Sequence, residues 1–159
     1  GHELRWHRFA WVALEAVFYA VAMRFVAAYV VGRLHLDGGA PSPIIRDRLA
    51  GVVMSLGAGF YEEIAFRVVL FGLGLKIVRL LFLPASPGKS WLVMLGWALA
   101  ASAVFSGWHY VGDLGDTFDL RSFVFRWVCG MAFSAIYAFR GFAPAVWTHA
   151  LYDLWVLVL

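Results

Sequence analysis

Long runs of apolar residues, separated by short polar segments, make up most of this chain. Four of these runs approach the ~20 residues that a helix needs to cross the hydrocarbon core of a bilayer. They predict membrane helices over Trp6–Val31, Trp91–Trp108, Leu120–Phe139 and Ala143–Leu159. The pattern therefore predicts an all-α fold, a polytopic transmembrane bundle of about five to six helices around a polar intramembrane cavity.

A fifth apolar element, Ile44–Phe82, is too long for one straight span. At ~1.5 Å per residue it would be nearly twice as long as the ~30 Å hydrocarbon core is thick. Gly51, Gly57 and Gly59 are predicted places for it to bend or break, ahead of an acidic pair. Two arrangements remain open: one kinked span, and an interfacial helix joined to a span.

The whole chain is expected to form a single membrane-embedded domain, with a flanking helix and loop over 1–43 and a motif-bearing core over 44–159. Prolines mark the first loop, the second loop and the first turn of the last helix. These are Pro41 and Pro43, then Pro84 and Pro87 with Gly88, and finally Pro144.

Basic residues predict the orientation, because they favour the cytoplasmic side. The residues that place the amino end, the second loop and the last turn in the cytoplasm are Arg5, Arg8, Lys76, Arg79, Lys89 and Arg140. A loop with Asp113, Asp116 and Asp119 and no cation then lies outside. Counting 44–82 as one crossing gives five spans that alternate in direction. Three arginines violate the charge rule in this topology, because they would lie outside: Arg33, Arg46 and Arg48.

Composition supports a location in the membrane. Hydrophobic residues make up 63% of the chain and charged residues 14%, whereas soluble domains have about 25% charged residues. The net charge of +3 comes from short loops and helix ends, which fits contact with anionic lipid head groups and gives no basis for nucleic-acid binding. The single cysteine, Cys129, excludes a disulfide framework and a Cys-based metal site, and is expected to pack in the core.

Glu62, Glu63 and Arg67 stand within the long apolar element. An ionised carboxylate costs roughly 3 kcal/mol at the centre of a membrane helix on insertion scales, so this cluster indicates a functional site beside a hydrated cavity. Glu63 and Arg67 are spaced i, i+4 and share a helix face, whereas Glu62 is rotated about 100° away. One carboxylate can then pair with the arginine while the other acts as a base. The alternative is a buried ion network that joins helices.

Two histidines lie on later helices. For His109, at a predicted helix end, an interfacial anchor is the simplest interpretation. In the i, i+4 pair of His149 and Asp153 the carboxylate can orient or charge the imidazole, and a hydrogen bond between helices is the alternative. Together with the glutamates, they supply a base and donors for a developing oxyanion. Ser106 and Cys129 lack the sequence context of a nucleophile.

Three motifs on successive membrane helices resemble those of the CAAX prenyl endopeptidase and bacteriocin-processing (CPBP) family of intramembrane glutamic proteases. They are Glu62-Glu63-x-x-x-Arg67, Phe105-x-x-x-His109 and His149-x-x-x-Asp153. The resemblance covers about residues 44–159, with the first helix as an extra flanking element. It implies a hydrolase of peptide bonds at the membrane, with no cofactor.

The resemblance also implies a role for each motif residue. Glu62 would activate the attacking water, and His109 would help to position that water or to transfer a proton. His149 would line the oxyanion side together with the last residue of the third motif. Glu63 and Arg67 would hold the geometry and charge of the site.

The third motif departs from the pattern of many members, which have Asn where this chain has Asp153. An ionised aspartate cannot donate a hydrogen bond to an oxyanion. Here Asp153 is expected to orient His149 as the donor, or to be protonated itself.

Two other interpretations remain open. Glu62, His109, His149 and Asp153 offer ligands for a divalent metal such as zinc, although no HExxH spacing favours it. A non-catalytic binding protein, or a transporter with an acid–base relay, would also place ionisable residues in apolar helices. The expected substrate is a membrane-associated peptide or protein, and the short loops favour a bacterial inner membrane.

The predicted spans raise one geometric difficulty. They put His109 near the outer end of its helix and His149 near the inner end of the last one, whereas a shared site needs both at the depth of Glu62. The helices must be short or broken there, or their boundaries must differ by a turn or more.

Overall fold

The computed structural model describes residues 6–36, 47–82, 87–113 and 115–158. Within these ranges all regular structure is helical, with six α-helices and one π-helix. They are α1 (Trp6–Arg33), α2 (Arg48–Glu62), the π-helix (Glu63–Leu73), α3 (Gly74–Phe82), α4 (Pro87–Trp108), α5 (Leu120–Arg140) and α6 (Phe142–Leu157). The all-α bundle predicted from the apolar pattern is confirmed.

The helix boundaries differ most from prediction in the second half of the chain. α4 begins at Pro87, so Pro87 and Gly88 form its first turn instead of a loop, and proline suits that first position. α6 is only 16 residues long and has Pro144 in its first turn, as predicted. Several positions named above lie outside the described residues: Arg5, Pro41, Pro43, Ile44, Arg46, Pro84 and Leu159.

Among the described residues, three helices are long and apolar enough to cross a membrane, as judged by length and composition. They are Trp6–Arg33, Ser90–Trp108 and Leu120–Arg140. The exterior of the bundle is correspondingly rich in exposed large hydrophobic side chains, among them Trp11 and Leu80. A surface of this kind suits lipid as its solvent.

The long element is helical from residue 48 to residue 82, so of the predicted bend or break before the acidic pair, the break does not occur. α2 passes through Gly51, Gly57 and Gly59 as a regular α-helix, and the hydrogen bonding widens to the π-helix only after Glu62. Gly59 serves close packing instead, because a Cβ there would lie 2.9 Å from the Cβ of Ala150 on α6.

One face of α2 consists of small residues and packs on α6. Gly51, Ser55 and Gly59 are buried at every fourth position, and the Ser55 hydroxyl donates to the carbonyl of Gly51 at 2.8 Å. Small residues let two helix backbones approach each other, which is how many membrane helices associate. This contact places the end of α2, and with it the acidic pair, against the middle of α6.

Aromatic side chains of neighbouring helices pack along the π-helix. The Trp97 indole on α4 donates to the carbonyl of Leu70 at 2.9 Å. Gly74 has no Cβ, which leaves room for the ring of Trp97. Gly72 leaves room for Tyr137 in the same way. The π-helix is therefore held by specific contacts from α4 and α5.

The acidic loop between α4 and α5 uses its aspartates for local structure. Asp119 caps α5 by accepting a hydrogen bond from the backbone N–H of Ser122 at 2.8 Å. Asp116 accepts from the Arg126 guanidinium, and its backbone N–H donates to the carbonyl of His109 at 2.8 Å. The loop is thereby tied to the end of α4 and to α5.

We expect Gly59→Ala to destabilise the protein by about 1–3 kcal/mol, the usual effect of overpacking, because its Cβ would meet the backbone of α6. The matched control is Gly57→Ala on the same helix, where a Cβ would meet nothing within 4 Å. Alanine should be neutral or stabilising there, since its helix propensity exceeds that of glycine. Thermal unfolding in detergent measures both; equal effects would contradict the packing role of Gly59.

Candidate active site

The six predicted site residues lie together at the junction of α2, the π-helix, α4 and α6. Glu62 is the last residue of α2, and the π-helix carries Glu63 and Arg67. His109 follows the end of α4, and α6 contributes the third motif. The structure thus brings together three segments that are far apart in sequence: residues 62–67, the end of α4, and α6.

Glu63 is the buried centre of this cluster. Its side chain has no exposed surface, and the Nδ1–H of His149 donates to its Oε1 at 2.9 Å. Its Oε2 lies 3.3 Å from Nε of Arg67, which is 1% exposed. The predicted i, i+4 pairing of Glu63 with Arg67 is present, and the bond to His149 adds a partner from another helix. A carboxylate taken out of water needs such partners.

Glu62 has a different environment from its neighbour. Its Oε2 lies 3.8 Å from Nε2 of His149 and 3.9 Å from Nε2 of His109. These distances are too long for direct hydrogen bonds but are within reach of one bridging water molecule. No protein group in the described ranges donates a hydrogen bond to this buried oxygen. The Glu62 side chain retains 18% exposure, so the adjacent acids differ in both pairing and accessibility.

His109 reaches the site although it lies beyond the end of α4. Side chains of a helix point back towards its amino end, and the Nδ1–H of His109 donates to the carbonyl of Phe105 at 3.0 Å. A carbonyl oxygen only accepts, so Nδ1 carries the proton and Nε2 faces Glu62. His149 is the eighth residue of the 16 in α6, near the middle of the helix. Both imidazoles lie within 4 Å of Glu62, so the depth difficulty raised by the predicted spans does not keep them out of one site.

Asp153 lies on the side of His149 opposite Glu63. Its Oδ2 is 3.5 Å from Nε2 of His149, in the predicted i, i+4 arrangement. Sequence reasoning missed that the other ring nitrogen bonds Glu63. Carboxylates therefore face both edges of one imidazole.

Two phenylalanines wall the cluster. The guanidinium carbon of Arg67 lies 4.2 Å from the ring centre of Phe105 and 5.0 Å from that of Phe133. The His149 ring stacks on Phe133, with 4.5 Å between ring centres and 21° between planes. Phe105 belongs to the second motif, but Phe133 on α5 was not predicted. Its sequence signal is weak: it neighbours the small buried pair Cys129 and Gly130.

The nucleophile alternatives find no support in the geometry. The Ser106 hydroxyl is buried and donates to the carbonyl of Phe123 at 2.7 Å. Cys129 is buried in the hydrophobic core, as predicted.

Within the described ranges, no group of three His, Cys, Asp or Glu side chains is arranged to hold a metal ion.

The sequence model of the Type II CAAX prenyl endopeptidase Rce1-like family matches residues 44–155, well over half of the chain. The chain belongs to this family. No curated protein and no solved structure gives a significant match. The matched range contains all six clustered residues, whereas α1 precedes it.

As a member of the Rce1-like family with three apolar helices of spanning length, the chain is an integral membrane protein and a CAAX-type protease. Its substrates are accordingly peptides or proteins met in a membrane setting. The family match agrees with the resemblance drawn from the three motifs. It does not assign a catalytic role to any single residue.

We expect Arg67→Met to destabilise this Rce1-like protein by about 3–5 kcal/mol, because removing one member of a buried ion pair leaves a buried charge poorly compensated. Arg140→Met is the matched control, since Arg140 pairs with Glu15 but its side chain is 54% exposed. That exposed pair should contribute little. Thermal unfolding of both variants in detergent makes the comparison. A similar loss in the two would contradict the structural importance of the Glu63–Arg67 pair.

Proposed function

We propose that this Rce1-like protein is a glutamic intramembrane endopeptidase that cleaves near the terminus of a membrane-associated peptide or protein. The observation that supports this best is that one oxygen of the Glu62 carboxylate lies within 4 Å of the Nε2 atoms of both His109 and His149. A water molecule beside this oxygen would have Glu62 as its base, Nε2 of His109 as a second hydrogen-bond acceptor and His149 as a nearby donor. The surrounding helices shield the site. We further propose a bacterial inner membrane, because the segments between its apolar runs are short.

In the proposed reaction, the water donates one hydrogen bond to Glu62 and the other to the bare Nε2 of His109. Glu62 takes a proton as the water oxygen attacks the carbonyl carbon of the scissile bond. The tetrahedral intermediate then re-forms its carbonyl, the C–N bond breaks, and Glu62 returns the proton to the leaving amine. The same carboxyl group thus serves as base and then as acid.

His149 is the proposed donor to the developing oxyanion. Its Nδ1–H is committed to Glu63, and Nε2 is the nitrogen nearest Glu62 and Asp153. A ring protonated on both nitrogens donates from Nε2, and the carboxylates at its two edges favour that positive charge. Asp153 then orients and charges His149 and need not donate itself. A preformed donor of this kind is typically worth 10²–10³-fold in rate.

Glu62→Gln tests the base, because it keeps the shape of the side chain and removes its ability to take a proton. We expect cleavage of a membrane-anchored reporter peptide in proteoliposomes to fall by about 10²–10⁴-fold, the usual contribution of a general base. Glu15→Gln, on α1 and outside the site, is the control and should retain activity. Comparative peptidomics of cells with the wild type and with Glu62→Gln would then identify the natural substrate.

The outcome of this experiment decides whether Glu62 acts as the base of the protease. Unchanged processing by Glu62→Gln would rule out the glutamate mechanism.

The second candidate mechanism uses a divalent metal held by Glu62, His109, His149 and Asp153. Because no group of three His, Cys, Asp or Glu side chains among the described residues is arranged to hold a metal ion, we expect activity without metal. Peptidase assays after dialysis against a chelator, together with metal analysis of the same sample, measure this. A loss of activity that zinc restores would overturn the metal-free mechanism.

A further inference from the structure

Phe133 contacts the two residues that hold Glu63, although its helix carries none of the motif residues. It is buried on α5, with 1% of its surface exposed. The Arg67 guanidinium carbon lies 5.0 Å above its ring, and the His149 imidazole stacks against it. Phe133 thus completes the surroundings of the Glu63 ion pair from a third helix.

The orientation of the His149 ring decides which nitrogen faces which carboxylate. The torsion that turns an imidazole about its Cβ–Cγ bond is broad and roughly two-fold. The hydrogen bond from Nδ1 to Glu63 fixes one atom of the ring, and rotation that bends this bond would carry Nε2 away from Glu62. A flat aromatic face at 4.5 Å and 21° blocks such rotation, because turning the imidazole out of the stack drives its edge into the phenyl ring.

The stack also suits positive charge on both of its neighbours. An aromatic face attracts a guanidinium or an imidazolium, and Arg67 and His149 both lie within reach of the Phe133 ring. Phe105 approaches His149 on edge, at 6.0 Å and 81°, and does not offer it a parallel face. An aliphatic side chain of similar volume at position 133 would fill the core but would not present a parallel aromatic face to His149.

We propose that Phe133 is a positioning residue, whose ring holds the His149 imidazole in the plane that presents Nδ1 to Glu63 and Nε2 to Glu62. This rests on the proposed function of the site. The ring touches no reacting atom, so its effect passes entirely through His149. Loss of the stack should lower the rate of the chemical step and leave substrate binding unchanged.

The test compares Phe133→Leu with Phe71→Leu in the full-length protein. Phe71 is also buried, but it packs in a separate cluster with Leu75, Ala98 and Ala101. The two variants therefore suffer the same truncation and a comparable loss of stability, which thermal unfolding in detergent will verify. We expect Phe133→Leu to lower kcat by on the order of 10²-fold, the effect of misplacing a catalytic group by about 1 Å, with KM unchanged. Phe71→Leu should keep its kcat.

A spectroscopic signature distinguishes positioning from stability. The chain has five histidines, so the ring ¹⁵N resonances of His149 can be assigned with His149→Gln. In the wild type they should show one fixed hydrogen-bonded Nδ1–H, and in Phe133→Leu they should shift and broaden. Equal kcat for both phenylalanine variants, or a loss of kcat without any change in the His149 resonances, would overturn the proposal.

Failure of this inference is separable from failure of the proposed function. If Glu62→Gln abolishes cleavage while Phe133→Leu retains the wild-type kcat, only the positioning role is refuted. If Glu62→Gln remains fully active, the glutamate mechanism itself is refuted.

Discussion

The buried carboxylate of Glu63 is the group on which the geometry of the site depends. A desolvated charge is tolerated only where opposite charge and hydrogen bonds replace the lost water. Arg67 meets this need from the same helix, and His149 meets it from α6. Because the second partner lies on another helix, the pairing holds the π-helix and α6 at one separation. It also turns the other nitrogen of His149 towards Glu62.

Close helix packing makes that separation possible. Gly59 lets α2 approach the backbone of α6 one turn before the acidic pair, so that His149, next to Ala150, comes within reach of both glutamates. In a bilayer the hydrophobic effect does little to drive helices together, and close contact between small residues contributes instead. The apolar exterior suits contact with lipid, while the buried side chains of Glu63, Arg67 and His149 meet at one internal junction.

Two adjacent glutamates thereby acquire unlike environments. Glu63 has no exposed surface, accepts a hydrogen bond from His149 on Oε1 and faces Arg67 with Oε2 at 3.3 Å, whereas Glu62 is 18% exposed and its Oε2 lies 3.8 Å or more from both histidines. The two side chains are chemically identical, so their surroundings alone create this difference. Glu63 can therefore maintain the structure while Glu62 is available for proton transfer. The proposed mechanism uses this division, and membership in the Rce1-like family is consistent with it.

The sequence by itself determined the all-α membrane class, most helix ends and the i, i+4 pairs within the first and third motifs, because apolar runs and helical spacing are local properties. The motif resemblance also identified the family that the comparison then showed. Tertiary structure alone decided that the helix stays regular up to Glu62 and then widens, that Glu63 binds a histidine 86 positions away, and that Phe133 stacks on that histidine. These features depend on where α2, α5 and α6 meet, and such contacts leave no periodic trace along the chain.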